Sequence, residues 1–156
     1  MMRSLLISTY EMGRQPFGMA SAAAWLRAAG WDVDCVDVAK ETLARERVAS
    51  ADLVGFHLPM HTATRLAAPI LAAARQANPS ARICAFGLYA PLNAEWLQSL
   101  GADAVFGGEF EEELVAFAGR ADRTQSAQRS QSKIFSACSA GCASIVVVHH
   151  FPASAR

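Results

Sequence analysis

Residues 51–64 read ADLVGFHLPMHTAT, and the fold is decided by how this stretch is read. After Asp52 it runs apolar through Leu53, Val54, Gly55 and Phe56, then meets His57, Pro59, His61 and two threonines before a long helical pattern begins. A short apolar run bounded by polar and turn residues is the pattern of a buried strand in a parallel sheet. Polar residues gathered where such a strand gives way to a helix mark the edge at which open α/β sheets take ligands.

The same strand–loop–helix unit recurs on both sides. Leu5–Thr9 (LLIST) is apolar on both faces, hence central, and opens into a polar loop through Pro16. Met19–Ala29 is predicted as a helix with Trp25 and Leu26 on its core side, stopped by Gly30. Val33–Val38 alternates with aspartates, which predicts one exposed face and a strand at the sheet edge. Lys40–Ala49 follows as a short charged helix. After the opening stretch a helix is expected from about Thr64 to Ala77, with Leu66, Ile70, Leu71 and Ala74 at helical spacing. Pro69 is expected to kink it or delay its regular part. Ile83–Phe86 is a fourth strand, Asn93 caps a helix to Leu100, Ala104–Phe106 is a fifth strand, and Phe110–Ala118 is a last helix.

Five such units with right-handed crossovers make an α/β, five-stranded parallel, Rossmann-like domain of three layers. An edge-type second strand favours the flavodoxin-like order 2-1-3-4-5. The ligand edge is then bounded by the loops after Thr9, Leu58, Gly87 and Phe106.

Composition separates the chain into two parts. Residues 1–118 carry nine basic and thirteen acidic side chains, whereas residues 119–156 carry five basic ones and only Asp122. The domain is therefore set at 1–118 and a low-complexity basic tail at 119–156, expected to be disordered or loosely attached and to stem from a truncated or frame-shifted reading frame. No run approaches the roughly 20 continuous apolar residues that span a bilayer. Cys35 and Cys84, each inside a predicted strand, place the chain in a reducing cytoplasm. No basic stripe with interleaved aromatics points to nucleic acid.

Several chemistries lack their residues. Gly13 and Gly18 do not make the dinucleotide glycine pattern, and neither a nucleophile elbow nor a Walker lysine is present. Cys138-x3-Cys142 would need a third cysteine where Ile145 stands, so an iron–sulfur cluster is not completed there. His149-His150 with those cysteines has poor zinc spacing.

The segment Asp103-Ala-Val-Phe-Gly-Gly-Glu-Phe-Glu-Glu-Glu-Leu114 resembles the strand, glycine turn and acidic helix start of cobalamin-binding domains at the N-terminus of radical S-adenosylmethionine (radical SAM) proteins. Phe110 stands where their second motif glycine sits. The broader cobalamin signature, Asp-x-His-x-x-Gly, Ser-x-Leu and Gly-Gly, is matched by position more than by identity. Ser8-Thr-Tyr10-Glu-Met-Gly13 falls on the first element, with Tyr10 in place of the cobalt-ligating histidine. His57-Leu58-Pro59 falls on the second and Gly87-Leu88 on the third. A likeness also exists to an uncharacterised radical SAM group named for a Cys-Ala-Glu-Pro-type tail, which this chain does not carry.

The resemblance, covering residues 3–118, implies a cobalamin-binding module without its catalytic domain, not an enzyme by itself. It would bind cobalamin with the lower base detached and no histidine on cobalt. The implied cofactor site is Thr9, Tyr10, Gly13, His57, Pro59, His61, Thr62, Gly87, Leu88, Tyr89, Gly107, Gly108 and Glu109, with no catalytic residue and no protein metal ligand. An iron–sulfur cluster and S-adenosylmethionine belong only to an intact relative, whose radical SAM domain is the missing partner. His57, on a buried strand end, reads first as a hydrogen-bonded core histidine, while His61 either approaches the corrin or starts a helix. A stand-alone Rossmann-like enzyme or nucleotide-binding protein, and an interaction domain with an empty cleft, remain as alternatives.

Overall fold

A computed structural model describes residues 1–119. Five strands, β1 (Arg3–Ser8), β2 (Asp32–Asp37), β3 (Leu53–His57), β4 (Arg82–Phe86) and β5 (Ala104–Phe106), pair in parallel in the order β2-β1-β3-β4-β5. The helices are α1 (Phe17–Ala28), α2 (Arg45–Ala49), α3 (His61–Ala77), α4 (Ala94–Ser99) after a 3-10 turn at Pro91–Asn93, and α5 over 111–119. The expected class, strand order and edge position of the second strand are all present.

Strand alternation divides the core in two. Leu5, Ile7, Val54, Phe56, Ile83 and Ala85 face one side, where they pack with Ala67, Leu71 and Ala74 of α3 and Leu97 of α4. Leu6, Leu53, Cys84 and Phe86 face the other, against Met19, Ala22, Ala23 and Leu26 of α1 and Leu114 and Phe117 of α5. Both faces being covered is why β1, β3 and β4 read as continuous apolar runs. At the edge, the Arg47 guanidinium grips Asp34 through two 2.7 Å hydrogen bonds and holds its carboxyl below the usual range. That charge on the outermost strand blunts further strand pairing.

Local departures from expectation have local causes. Trp25 is exposed, and α1 docks through Met19, Ala22, Ala23 and Leu26. Leu66 is exposed, the buried stripe of α3 being Ala63, Ala67, Leu71 and Ala74. Pro69 lies within α3 without ending it, and the helix starts at His61, earlier than Thr64. Pro69 is on the exposed side, where water can satisfy the carbonyl that its missing N–H leaves free. Asn93 does not cap α4 with its side chain but donates Nδ2–H to the Tyr89 carbonyl at 2.9 Å. The charged segment after β2 is helical only over α2. Gly30 ends α1 as foreseen: at φ +88° it donates to Arg27 while Trp31 donates to Leu26, a Schellman closure. No helix among the described residues is long and apolar enough to cross a membrane. Cys138, Cys142, His149 and His150, and the tail apart from Gly119, lie outside the described residues.

Candidate functional site at the C-terminal ends of the strands

The crossover reverses direction between β1 and β3, whose ends Ser8 and His57 are register partners, with Asp37 beside Ser8 on β2. Below the surface here sit three buried side-chain atoms with no hydrogen-bond partner: Ser8 Oγ, Glu11 Oε2 and His57 Nδ1. Ser8 is wholly buried and His57 is 5% exposed. The expected hydrogen-bonded core histidine is thus in the core but lacks its hydrogen bond. Its Nδ1 is 3.7 Å from Glu11 Oε2, beyond hydrogen-bonding distance. Burial pushes the His57 imidazole down to about 4, so it is neutral near pH 7. Burial first, and then the Asp37 charge, raise the Glu11 carboxyl. His57 Nε2 packs directly on Gly18, leaving no room for a side chain on that residue of α1.

The other sequence-selected residues divide into those the fold uses and those it leaves open. Thr9 is buried and donates its hydroxyl proton to the Ala63 carbonyl at 2.8 Å, tying β1 to the first turn of α3. Gly87, at φ +116°, is packed so that a side chain would meet the Leu58 carbonyl at 2.9 Å. Gly107, placed in the implied cofactor site, lies against Pro91, where a side chain would collide. Gly13 (φ +75°) and Gly108 (φ +64°) have open space where a side chain would stand. Tyr10, His61, Thr62, Leu88 and Glu109 are exposed, while Pro59 and Tyr89 are half-buried. His61 is the first residue of α3. Phe110 is buried with its ring 4.8 Å from that of Phe86, so the aromatic in place of a glycine is a core residue.

Of the apolar rim, sequence reasoning selected Tyr10 (36% exposed) and Leu88 (71%) but not Met12 (61%), Phe17 (76%) or Leu92 (75%). All five lie in the loops and first turns that follow β1 and β4, at one end of the sheet. Met12 holds φ +49°, a backbone region costly for a residue with a side chain. Ser8 and Glu11, whose Oγ and Oε2 atoms are buried without a partner, were also not selected, although both lie in the stretch aligned with the first signature element. The β1–β3 register that brings Ser8 beside His57 is visible only in three dimensions.

These features define a doubly wound, flavodoxin-like α/β domain with its candidate site at the strand switch point. Solved structures agree on the fold: a CheY-like response regulator receiver domain from Methanospirillum hungatei JF-1 (TM-score 0.60, 18% identity, covering 80% of this chain and 97% of that one) is similar. So is a flavodoxin-like domain from Synechococcus sp. (TM-score 0.55, 18% identity, 81% and 99% covered). The family model described as "B12 binding domain" matches residues 3–118, and the chain belongs to that family. A comparison with curated proteins found no match.

Proposed function

We propose that this chain is a cobalamin-binding module that carries the corrin macrocycle across the C-terminal ends of its strands, with no histidine ligand to cobalt. The rim carries the reading. Large apolar side chains clustered on a surface mark interaction sites, and a corrin is a broad, largely apolar disc fringed with amides. Rim and disc match in chemistry, and Gly13 and Gly108 leave their edges open to it. Tyr10 stands in the loop where the family's cobalt-ligating histidine would be, and His57 is buried with its Nε2 against Gly18. A bound corrinoid supplies cobalt-centred radical or carbon-transfer chemistry, while the chain's own residues support and orient the macrocycle.

Titration with hydroxocobalamin, followed by its visible spectrum, tests this. Saturable one-to-one binding is expected. Leu88→Asp with Leu92→Asp should weaken it by about tenfold or more, because two charges would have to be desolvated beneath the disc. His61→Ala should leave the bound spectrum unchanged. Binding indifferent to the rim substitutions would count against the reading.

The finer inference is service to a radical SAM enzyme, supported by the likeness of residues 103–114 to that group's glycine turn and acidic helix start. The described residues contain no metal-holding cluster of three His, Cys, Asp or Glu. Cys35 and Cys84 are separated by β1 and β3, and burial raises both thiols, Cys84 to about 12. Under this inference the iron–sulfur cluster belongs to a partner domain. The chain alone, with dithionite and S-adenosylmethionine, should release no 5′-deoxyadenosine; release above blank would contradict it.

A further inference from the structure

We propose that the groove between α2 and α3 binds an amphiphilic carboxylate, a small molecule with an extended apolar chain and a single anionic head. The proposal does not depend on the corrinoid reading, and none of the groove's lining residues belongs to the apolar rim. Ile70 and Ala77 of α3 are only half covered by the core, as are Val38 and Leu43 on the segment leading from β2 to α2. Between these two walls lie adjoining cavities of about 510 and 680 Å³ that share Leu43, Ile70 and Ala73. Each is within the range of small-molecule sites, roughly 300–1,000 Å³. From Pro69 to Ala77 the trough follows α3 for about 12 Å, which suits a chain better than a disc.

The walls are braced at both ends. Arg47 ties Glu41 of the outer wall, at 3.2 Å, to Asp34 of β2, at 2.7 Å. At the close of α3 the Asn78 side chain donates to the Val48 and Ala51 carbonyls at 2.9 Å each, joining α3 to α2 and the residues after it. A groove held in this way keeps its shape, so binding does not have to order it.

The charges select the head group. Lys40 pairs with Asp37 at 3.4 Å and Glu41 with Arg47 at 3.2 Å, so both are compensated within the protein. Arg45 is exposed, lines the first cavity and makes no side-chain hydrogen bond or ion pair among the described residues. Together with Gln76 it supplies the polar part of a lining otherwise made of Leu43, Val48, Ile70 and alanines. One uncompensated guanidinium beside an apolar floor matches one carboxylate beside an apolar chain, because its forked donors can take both carboxylate oxygens. An uncharged or cationic amphiphile would leave it without a partner.

Decanoate is the probe. Amide NMR of the labelled full chain, titrated with it, should show saturable shifts at Leu43, Arg45, Ile70 and Ala73, with a dissociation constant on the order of 1 mM or tighter. Decanol and decylamine should bind at least about threefold more weakly. Arg45→Gln should bring decanoate down to the decanol level, and Ala73→Asp, which sets a carboxylate in the floor, should remove its binding. Both positions are exposed, so the variants leave the packed core as it is. Decanoate without effect at these amides, decanol bound as tightly as decanoate, or an Arg45→Gln chain that still prefers decanoate would each overturn the proposal. Groove amides that shift with protein concentration and no ligand would also overturn it, by showing a second copy of the chain there.

Discussion

Phe86→Ala should cost about 3–5 kcal/mol of folding stability, a large share of the total for a domain of this size. The side chain is wholly buried at the upper end of β4, between the rings of His57 and Phe110 and against the position where Gly55 lacks a side chain. Removing it deletes apolar contact and leaves a cavity that α1 and α5 can close only by moving together. The sheet beneath cannot shift to help, because β4 is hydrogen-bonded on both sides, to β3 and β5. Urea unfolding measures the effect; a loss under about 1 kcal/mol would show that the aromatic column is not a packed unit.

His57 should make the domain acid-sensitive well above the carboxylate range. Its imidazole falls from 6.5 to about 4 on folding, because the charged form would lose its hydration in the core. The Glu11 carboxylate 3.7 Å away favours the imidazolium, but burial outweighs it. A depressed histidine leaves the unfolded chain holding the extra proton between the two values. The stabilisation is therefore complete above pH 6.5 and declines as pH falls toward 4, by about 3 kcal/mol in all. Glu11 acts in the opposite sense: its raised carboxyl favours the fold at pH below 4.5, and that contribution is lost as pH rises through its folded value. The Asp34 contribution, from a lowered carboxyl, is lost only below 3.8. Comparing the native chain with His57→Gln isolates the histidine, since Glu11 and Asp34 remain in both. Stability of the variant should be much flatter between pH 6.5 and 4, and parallel curves would exclude His57 as the sensor.

The sheet was legible because its signals are binary. Apolar runs at Leu5, Leu53 and Ile83 could only be strands buried on both faces, and the aspartates interleaved in β2 placed it at the edge. The helix faces were less legible. The α1 sequence FGMASAAAWLRA is so rich in alanine that its apolar stripe has no sharp direction, and Trp25 falls just off the docked side. Pro69 was read from backbone chemistry alone, but the buried alanines and Leu71 of α3 anchor the helix on either side of it. At the candidate site, the sequence named the loops that the strand order does place at the switch point, but not the contacts each residue makes there. Thr9 and Gly107 are spent on internal contacts, visible only once Ala63 and Pro91 are in place. The exposure of Met12, Phe17 and Leu92 depends on loop conformation, which no periodicity encodes.

The central claim is that the corrin lies at the C-terminal end of the sheet, against the apolar rim and the loops after β1, β3, β4 and β5. Amide NMR of the isotopically labelled chain, titrated with hydroxocobalamin, tests it most directly. Perturbations should concentrate at Tyr10–Gly13, Pro59–Thr62, Gly87–Leu92 and Gly107–Glu109, leaving Arg3, Asp32, Leu53 and Arg82 at the opposite strand ends unmoved. Perturbations centred instead on the groove lined by Leu43, Ile70 and Ala73 between α2 and α3, or no perturbation at saturating ligand, would contradict it.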